Sequence, residues 1–470
     1  MLRYHTALLK VYDTINRHVL YHYHNLTFSN GKVAIFLLTV IMVYSQRMTA
    51  YHGGALDDRR SIWMFFGVIA LAIVNLIGWG RFNYILASQG YLSEEFVANW
   101  VAARALIVEG ESPYQPEITQ TILSTLDTAV ARDIDRVPQF TSPIYTIVIF
   151  LPIAFIADLI IAQAVWMTIL QVVLIASILI AVHISPTKPS RLVYSFLVFT
   201  TLISFHVILP IYHGSTIVVA GLFLLLSLLS IRNGREEIGG VMLGLATIQL
   251  PYLVLPILLI LFWTTGHRQR LFFLWFLGIL ILLVVLGVFL VPEWPQQYLK
   301  ILFRYALYYP ASSPGAAFRS YWPGIGTLLA RLLTIVTTAV LLFEWWIARK
   351  GDFNFLYWAV GFTLTIGFWI GLPALPNNLI LLLLPLVLCI SAWSERWGRA
   401  GSAIAIICLT VVLIWEWWLA FGNINSLRQV DALRLLIPLP LICLVGLYWV
   451  RSVIVRPKRL VDRLRTGENV

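Results

Sequence analysis

Apolar residues recur along this chain in runs of about 17–25 separated by short polar turns, the length a helix needs to cross a bilayer. The runs fall at about 62–80, 160–182, 192–210, 215–231, 271–291, 324–348, 354–371, 377–393, 401–421 and 433–451. A further apolar stretch, 238–263, carries Gln249-Leu250-Pro251 at its middle. Proline removes a helix donor there and favours a break. Basic residues flank the stretch on both sides (Arg232/Arg235 and Arg268/Arg270), so it must cross an even number of times. It is therefore predicted to be a hairpin of two short helices with its apex towards the outer side. The expected fold is all-α: a polytopic transmembrane helical protein of about twelve spans, the short hairpin included.

Charge fixes the expected orientation. The tail Arg451…Arg456-Pro457-Lys458-Arg459…Arg463…Arg465 reads as cytoplasmic, and so do the turns at Arg396/Arg399, Arg349/Lys350 and Arg268/Arg270. Segment 143–157 is apolar but only about 15 residues long. If it crossed, the basic turn His183…Lys188…Arg191 would fall outside while Arg59/Arg60 stayed inside. A segment that dips into the outer leaflet and returns keeps every basic turn on one side. The chain is thus read as a cytoplasmic or interfacial segment 1–60 and a membrane module 61–291 whose first outer loop is 81–159. A second outer loop at 292–323, C-terminal transmembrane helices over 324–451 and a cytoplasmic tail 452–470 follow. Segment 33–46 is short for a span, and Tyr21-His22-Tyr23-His24 reads as interfacial aromatic and imidazole residues rather than a metal site.

Composition agrees with a membrane protein. Sixty per cent of residues are hydrophobic and 12% charged, with 18 Trp, 20 Tyr and 26 Phe. The net charge of +11 is scattered as clusters at the ends of apolar runs, which argues for lipid contact and against nucleic acid. Cys389, Cys408 and Cys443 all lie inside apolar runs, as small core residues without disulfide or metal spacing. No compact apolar core with a small-residue cleavage site opens the chain, so no removable signal peptide is expected.

In so apolar a chain, Glu94-Glu95 at the head of a predicted amphipathic helix over 94–109 calls for a reason. Ionisable groups at the membrane edge are functional candidates by default, although carboxylates also suit the positive end of a helix dipole. On a helix, Glu95, Asn99, Ala102 and Leu106 share one face, and Glu94 is offset from it by about 100 degrees. The second outer loop mixes Lys300, Arg304 and Arg319 with Tyr308, Tyr309 and Trp322. That mixture suits a phosphate and a sugar ring together, and equally an aromatic belt with snorkelling cations. The outer turn Tyr212-His213-Gly214-Ser215-Thr216 adds one titratable group and hydroxyl caps for the next helix.

The order Glu95-Phe96-x-x-Asn99-Trp100-x-Ala102-Ala103…Gly110-x-x-Pro113-Tyr114, then Thr141-Ser142-Pro143 and Leu151-Pro152, resembles the polytopic glycosyltransferases of the GT-C superfold. It is most similar to the bacterial polyprenyl-phosphate-mannose-dependent mannosyltransferases, whose first loop reads Asp-Phe-x-x-Tyr-Tyr-x-Ala-Ala…Gly-x-x-Pro-Tyr followed by Tyr-Pro-Pro. His213-Gly214-Ser215-Thr216 stands where that family has Gly-Gln-x-Asn, Gly239–Ala246 resembles its Gly-rich hairpin, and Pro376-Asn377-Asn378…Pro385 its late proline-containing span. The family's first-loop Asp is Glu here, its hairpin Lys is Gln249, and Tyr-Pro-Pro is reduced to Thr-Ser-Pro.

The resemblance implies an inverting transferase in a cell (inner or plasma) membrane, acting on the extracytoplasmic side. It would move a sugar, mannose or another hexose or pentose, from a polyprenyl-phosphate donor to a lipid or glycan acceptor. Glu95 is the expected base, with Glu94 as alternate. The expected substrate contacts are Asn99, His213, Gln249, Arg304, Arg319, Tyr308, Tyr309 and Trp322. No cofactor is implied beyond the lipid-linked donor, and no metal is expected. A lipid or glycan transporter and a catalytically inactive relative are the alternatives.

Overall fold

The computed structural model describes residues 58–89, 93–126, 139–308, 318–319, 321–370, 376–422 and 438–454. The readings for 1–57, Tyr309 and the tail from 455 lie outside these residues. The chain divides at Ile77/Gly78 into two units; the described part of the first is the start of the helix over 58–89, and the packing below belongs to the second.

Among the described residues every regular element is helical. Helix α1 (Asp58–Gln89) is followed by α2 (Glu94–Arg104), which continues as one π-helical turn through Ala105–Glu109. Gly110, in the left-handed region at φ +75°, ends that turn. Then come α3 (Pro116–Thr125), a 3-10 turn at Ile144–Thr146, α4 (Ile147–Ala154), α5 (Leu159–Ile184), α6 (Arg191–Ile203), α7 (Phe205–Tyr212) and α8 (Ile217–Arg232). Helix α9 (Glu236–Leu245), a 3-10 turn at Ala246–Gln249 and α10 (Leu250–Gly266) precede α11 (Arg270–Leu290) and α12 (Trp294–Tyr308). The last elements are α13 (Gly326–Ala348), α14 (Phe353–Ile370), a 3-10 turn at Pro376–Leu382, α15 (Leu383–Gly422) and α16 (Leu439–Ile454).

Among the described residues six helical runs are long and apolar enough to cross a membrane: Leu159–Ile184, Glu236–Gly266, Arg270–Leu290, Gly326–Ala348, Phe353–Ile370 and Asn377–Phe421. The pair α6 and α7, bent by 44°, makes a seventh. The sequence predicted about twelve spans, a count that the described residues do not reach. The stretch expected as one span at 192–210 is broken at Ser204, and α8 has only 16 residues.

Two of the long runs double back. The Phe272 carbonyl lies directly beside Gly240. A straight helix would put Gly240 about 39 Å from Gly266, yet the six residues from Gly266 to Phe272 reach at most about 21 Å. The run must therefore fold at the 3-10 turn, as the Gln249-Leu250-Pro251 break predicts. Glycines at 239, 240 and 244 let α11 pack directly on α9, because a side chain there would collide with Phe272, Phe276 or Ile279. In α15, Ser394 Oγ and Ser402 Oγ stand 3.2 Å apart. Eight residues of straight helix span about 12 Å, so the chain reverses at Gly398, the left-handed residue (φ +55°) between the arms 383–397 and 399–422.

Hydrogen bonds gather the basic turns at one end of the bundle. Arg232 donates to the His183 carbonyl at 2.7 Å, and the Lys188 amide donates to Glu395 at 2.9 Å. Trp263 donates to the Gly351 carbonyl at 3.0 Å, and Tyr357 to that of Ala181 at 3.1 Å. Nearby, Arg451 pairs with buried Glu344 at 2.9 Å. Cys389 and Cys443 are buried among these helices and Cys408 is half-buried, all as free thiols.

Helix α4 has eight residues, about 12 Å of rise, too short to cross about 30 Å of hydrocarbon. It presents Val148, Leu151 and Phe155 outwards, at the spacing of one apolar face. A cysteine in place of Ala157 is accordingly expected to react with a membrane-impermeant thiol reagent added outside intact cells. Labelling only after the cytoplasmic side is opened would reverse this topology.

Candidate functional site

Helix α2 forms where a good helix-forming run, Glu94 to Arg104, carries two carboxylates in its first turn and an arginine in its last, matching both ends of the dipole. It differs from the amphipathic helix expected. Every residue from Phe96 to Ala103 is buried, because α4 and α3 pack on the face a surface helix would leave to solvent. Phe96 packs against Phe150, which in turn lies 4.4 Å from Trp166. Arg104 donates to the Ala154 carbonyl at 3.0 Å and lies over the Trp100 ring, so it anchors α2 to α4.

The turn 212–216 is held against the head of α2. Trp166 Nε1 donates to the Gly214 carbonyl at 2.8 Å, and Ser93 Oγ donates to the His213 carbonyl at 2.7 Å. Gly214 sits at φ +64°, and a Cβ there would stand 2.8 Å from that of Phe96. Only glycine satisfies both conditions.

This turn brings Ser215 and the first amides of α8 to Glu95. Ser215 Oγ donates to Glu95 Oε1 at 2.7 Å and the Thr216 amide at 3.2 Å. A third hydrogen bond comes from Asn377, on the 3-10 turn before α15. The Asn377 side-chain amide also reaches His213 Nδ1 at 3.0 Å, joining imidazole and carboxyl through one group. With the amide donating to Nδ1, the proton of the neutral imidazole sits on Nε2. Gln249, at the hairpin apex, donates to Thr216 Oγ1. Two residues earlier, Thr247 receives the Tyr145 hydroxyl at 3.0 Å.

Glu95 as a residue is half-buried, but its carboxyl is enclosed by these partners. Loss of water raises its pKa from 4.5 to about 7. The bonds from Ser215, Thr216 and Asn377 oppose that shift, and the negative charge of Glu94 adds slightly to it. Nearby, Asn99 donates to the Glu95 backbone carbonyl at 2.8 Å. Its own side-chain carbonyl, and that of Asn377, are buried without a donor among the described residues. The centre is therefore rich in acceptors.

The structure thus brings together Glu95, Asn99, His213 and Gln249 among the residues expected from the sequence. Glu94 is adjacent in the chain and half-buried. The side chains of Arg304 and Tyr308 lie outside the described residues, as does Tyr309. Arg319 is exposed, and Trp322 stacks on Phe318 at 5.8 Å; no described bond joins either to Glu95. In the sequence Ser215 and Thr216 read as helix caps and motif positions, Asn377 enters only within the late proline-containing motif, and Ser93 carries no mark. What they share is polarity at the ends of apolar runs. Among the described residues no group of three His, Cys, Asp or Glu could hold a metal ion. Comparison with protein-family models, with curated proteins and with solved structures gives no match to this chain.

Proposed function

We propose that the chain is an integral-membrane glycosyltransferase of the GT-C type, using a polyprenyl-phosphate sugar and acting on the extracytoplasmic side of a cell membrane. The observation that carries this reading is the Glu95 carboxyl, fixed by Ser215, Thr216 and Asn377 and raised to about 7. A general base is most effective when its pKa lies near the working pH. In the proposed step the acceptor hydroxyl oxygen forms a bond to the anomeric carbon from the face opposite the phosphate. The bond from that carbon to the phosphate oxygen breaks with its electron pair leaving on the phosphate, and the hydroxyl proton passes to Glu95. The unpaired carbonyls of Asn99 and Asn377 suit hydroxyl donors. Cations of the second outer loop, Arg304 and Arg319, are the proposed partners of the leaving phosphate. The positive-inside rule, applied to the basic turns gathered at the far end of α8, supports an outside position for the Glu95 end.

A base must be deprotonated to act, so the sign of the pH dependence is fixed. Transfer is expected to rise with pH through about 7 and level off above it. Glu95→Gln should lose that step from its profile. A wild-type rate flat from pH 5.5 to 8.5 would remove Glu95 from the proton transfer.

One observation favours a second reading, a lipid or glycan transporter. Helix α6 breaks into α7 beside the buried pair His206 and Glu416, 3.8 Å apart. Broken helices with ionisable residues at membrane depth are the mark of transporter sites. Proteoliposomes separate the two readings, since a transporter moves its lipid across the bilayer without forming a glycosidic bond.

A further inference from the structure

Two cations converge at the end of α5 that lies farthest from Glu95. Lys188 Nζ donates to the Val182 carbonyl at 2.7 Å and to the His183 carbonyl at 2.6 Å. Arg232, at the end of α8, donates to the same His183 carbonyl at 2.7 Å. Sharing one acceptor holds ammonium and guanidinium within about 5 Å, where like charges repel. One cation suits a helix C-terminus; two exceed the roughly half negative charge found there. Among the described residues no carboxylate forms an ion pair with either side chain. Glu395 accepts from the Lys188 backbone amide at 2.9 Å, and its charge favours the ammonium. Partial burial, and after it the charge of Arg232, outweigh that help and hold the Lys188 pKa below its usual value. The connecting loop also carries unused hydroxyls. Ser185 Oγ and Thr187 Oγ1 are buried without a hydrogen-bond partner, and Ser185 is 1% exposed.

We propose that Lys188, Arg232 and the loop 185–190 form a phosphate site, filled by the head group of an anionic membrane lipid. A phosphate oxygen between the two cations relieves their repulsion, and both keep N–H groups that their present bonds do not use. The surroundings favour a lipid over a free phosphate as the source. Leu159–Ile184 is long and apolar enough to cross a membrane, so Lys188, just beyond its end, falls at the level of the head groups. Directly alongside, α6 opens with exposed Arg191 and turns Leu192 and Phe199 outwards, a face suited to acyl chains. Basic pockets between helix ends at a membrane surface are recurrent head-group sites. Trp166 and Thr216 stand towards the other ends of α5 and α8, beside the Glu95 centre. The site is therefore separate from that centre and does not depend on the transferase reading.

The test uses the full-length protein in dodecyl maltoside, with tritiated dioleoylphosphatidylglycerol as the probe. Unlabelled dioleoylphosphatidylglycerol, dioleoylphosphatidylcholine and inorganic phosphate serve as competitors. The probe should bind saturably, phosphatidylglycerol should compete at least about tenfold better than phosphatidylcholine, and millimolar inorganic phosphate should not displace it. Lys188→Gln and Arg232→Gln should each weaken binding about tenfold, in line with loss of a charge-assisted hydrogen bond. Arg268→Gln, in the turn between α10 and α11, removes a charge from another basic turn and should leave binding unchanged. Glu395→Gln keeps an acceptor for the Lys188 amide but removes the opposing charge, so it should tighten binding about threefold. If Lys188→Gln does not elute as a single species, Arg232→Gln and Glu395→Gln carry the test, because misfolding does not raise affinity. Absence of saturable binding, equal competition by the two lipids, or a loss in Arg268→Gln equal to that in Arg232→Gln would each overturn the proposal. Displacement by inorganic phosphate would overturn the lipid as the occupant.

Discussion

Glu95→Gln is expected to slow sugar transfer about 10²–10⁴-fold while leaving donor binding largely intact, because the amide keeps the shape and loses the basicity. The hydrogen-bond geometry sharpens this expectation. Ser215 and the Thr216 amide both donate to Glu95 Oε1, and a glutamine oxygen can accept from the same two groups, so the pocket should persist. Glu94→Gln should be far milder, since Glu94 bears on Glu95 only as a nearby charge that raises its pKa slightly. Glu95→Asp restores the carboxylate of the resembling family with one methylene less reach. It should retain partial activity with a pH profile still showing an ionisation. Single-turnover rates with a polyprenyl-phosphate sugar, measured beside donor binding, check all three. A wild-type rate for Glu95→Gln would reduce the carboxylate to a charge at the start of a helix.

The second large effect is expected at Gly214, far from any titratable role. Gly214→Ala places a Cβ in a left-handed conformation, which costs about 1–2 kcal/mol, and drives it into Phe96 Cβ at 2.8 Å. Overpacking of that kind typically costs about 1–3 kcal/mol more. The turn must then shift, and Ser215 and the Thr216 amide shift with it away from Glu95. Lower thermal stability should therefore accompany a loss of activity approaching that of Glu95→Gln. Gly110→Ala is the control: it shares the left-handed strain at φ +75°, but its Cβ would meet nothing within 4 Å. Equal and slight effects of the two substitutions would show that the contact between the turn and α2 does not position the carboxyl.

These two residues also show what the sequence disclosed and what it withheld. The helical class, the break at Gln249-Leu250-Pro251 and the reversal between 393 and 401 follow from hydropathy, proline chemistry and the placing of basic residues. All are local properties of the chain. Glu95 stood out because a carboxylate is costly in apolar surroundings. Its partners were visible as motif positions, but not as partners of Glu95. Asn377 is 282 residues away in sequence and enters the site only because the turn 376–382 packs beside α7 and α8. The sequence likewise suggested an amphipathic α2. Burial on every side arises with the packing of α4 and α3, which no periodicity within α2 can reveal. The cluster of His206 and Glu416 was passed over for a related reason. Each residue is a lone polar position in an otherwise apolar helix, and only the bend at Ser204 brings the two together.

The account rests on Glu95 acting as the base of a sugar transfer, and its most direct test is a comparison of membrane lipids and surface glycans in cells with and without this protein. Cells lacking it should lose one sugar-bearing lipid or glycan and accumulate its unglycosylated precursor. The wild-type chain should restore the product, and Glu95→Gln, present in the membrane at the same level, should not. Identical lipid and glycan profiles in the two kinds of cell, or full restoration by Glu95→Gln, would contradict it.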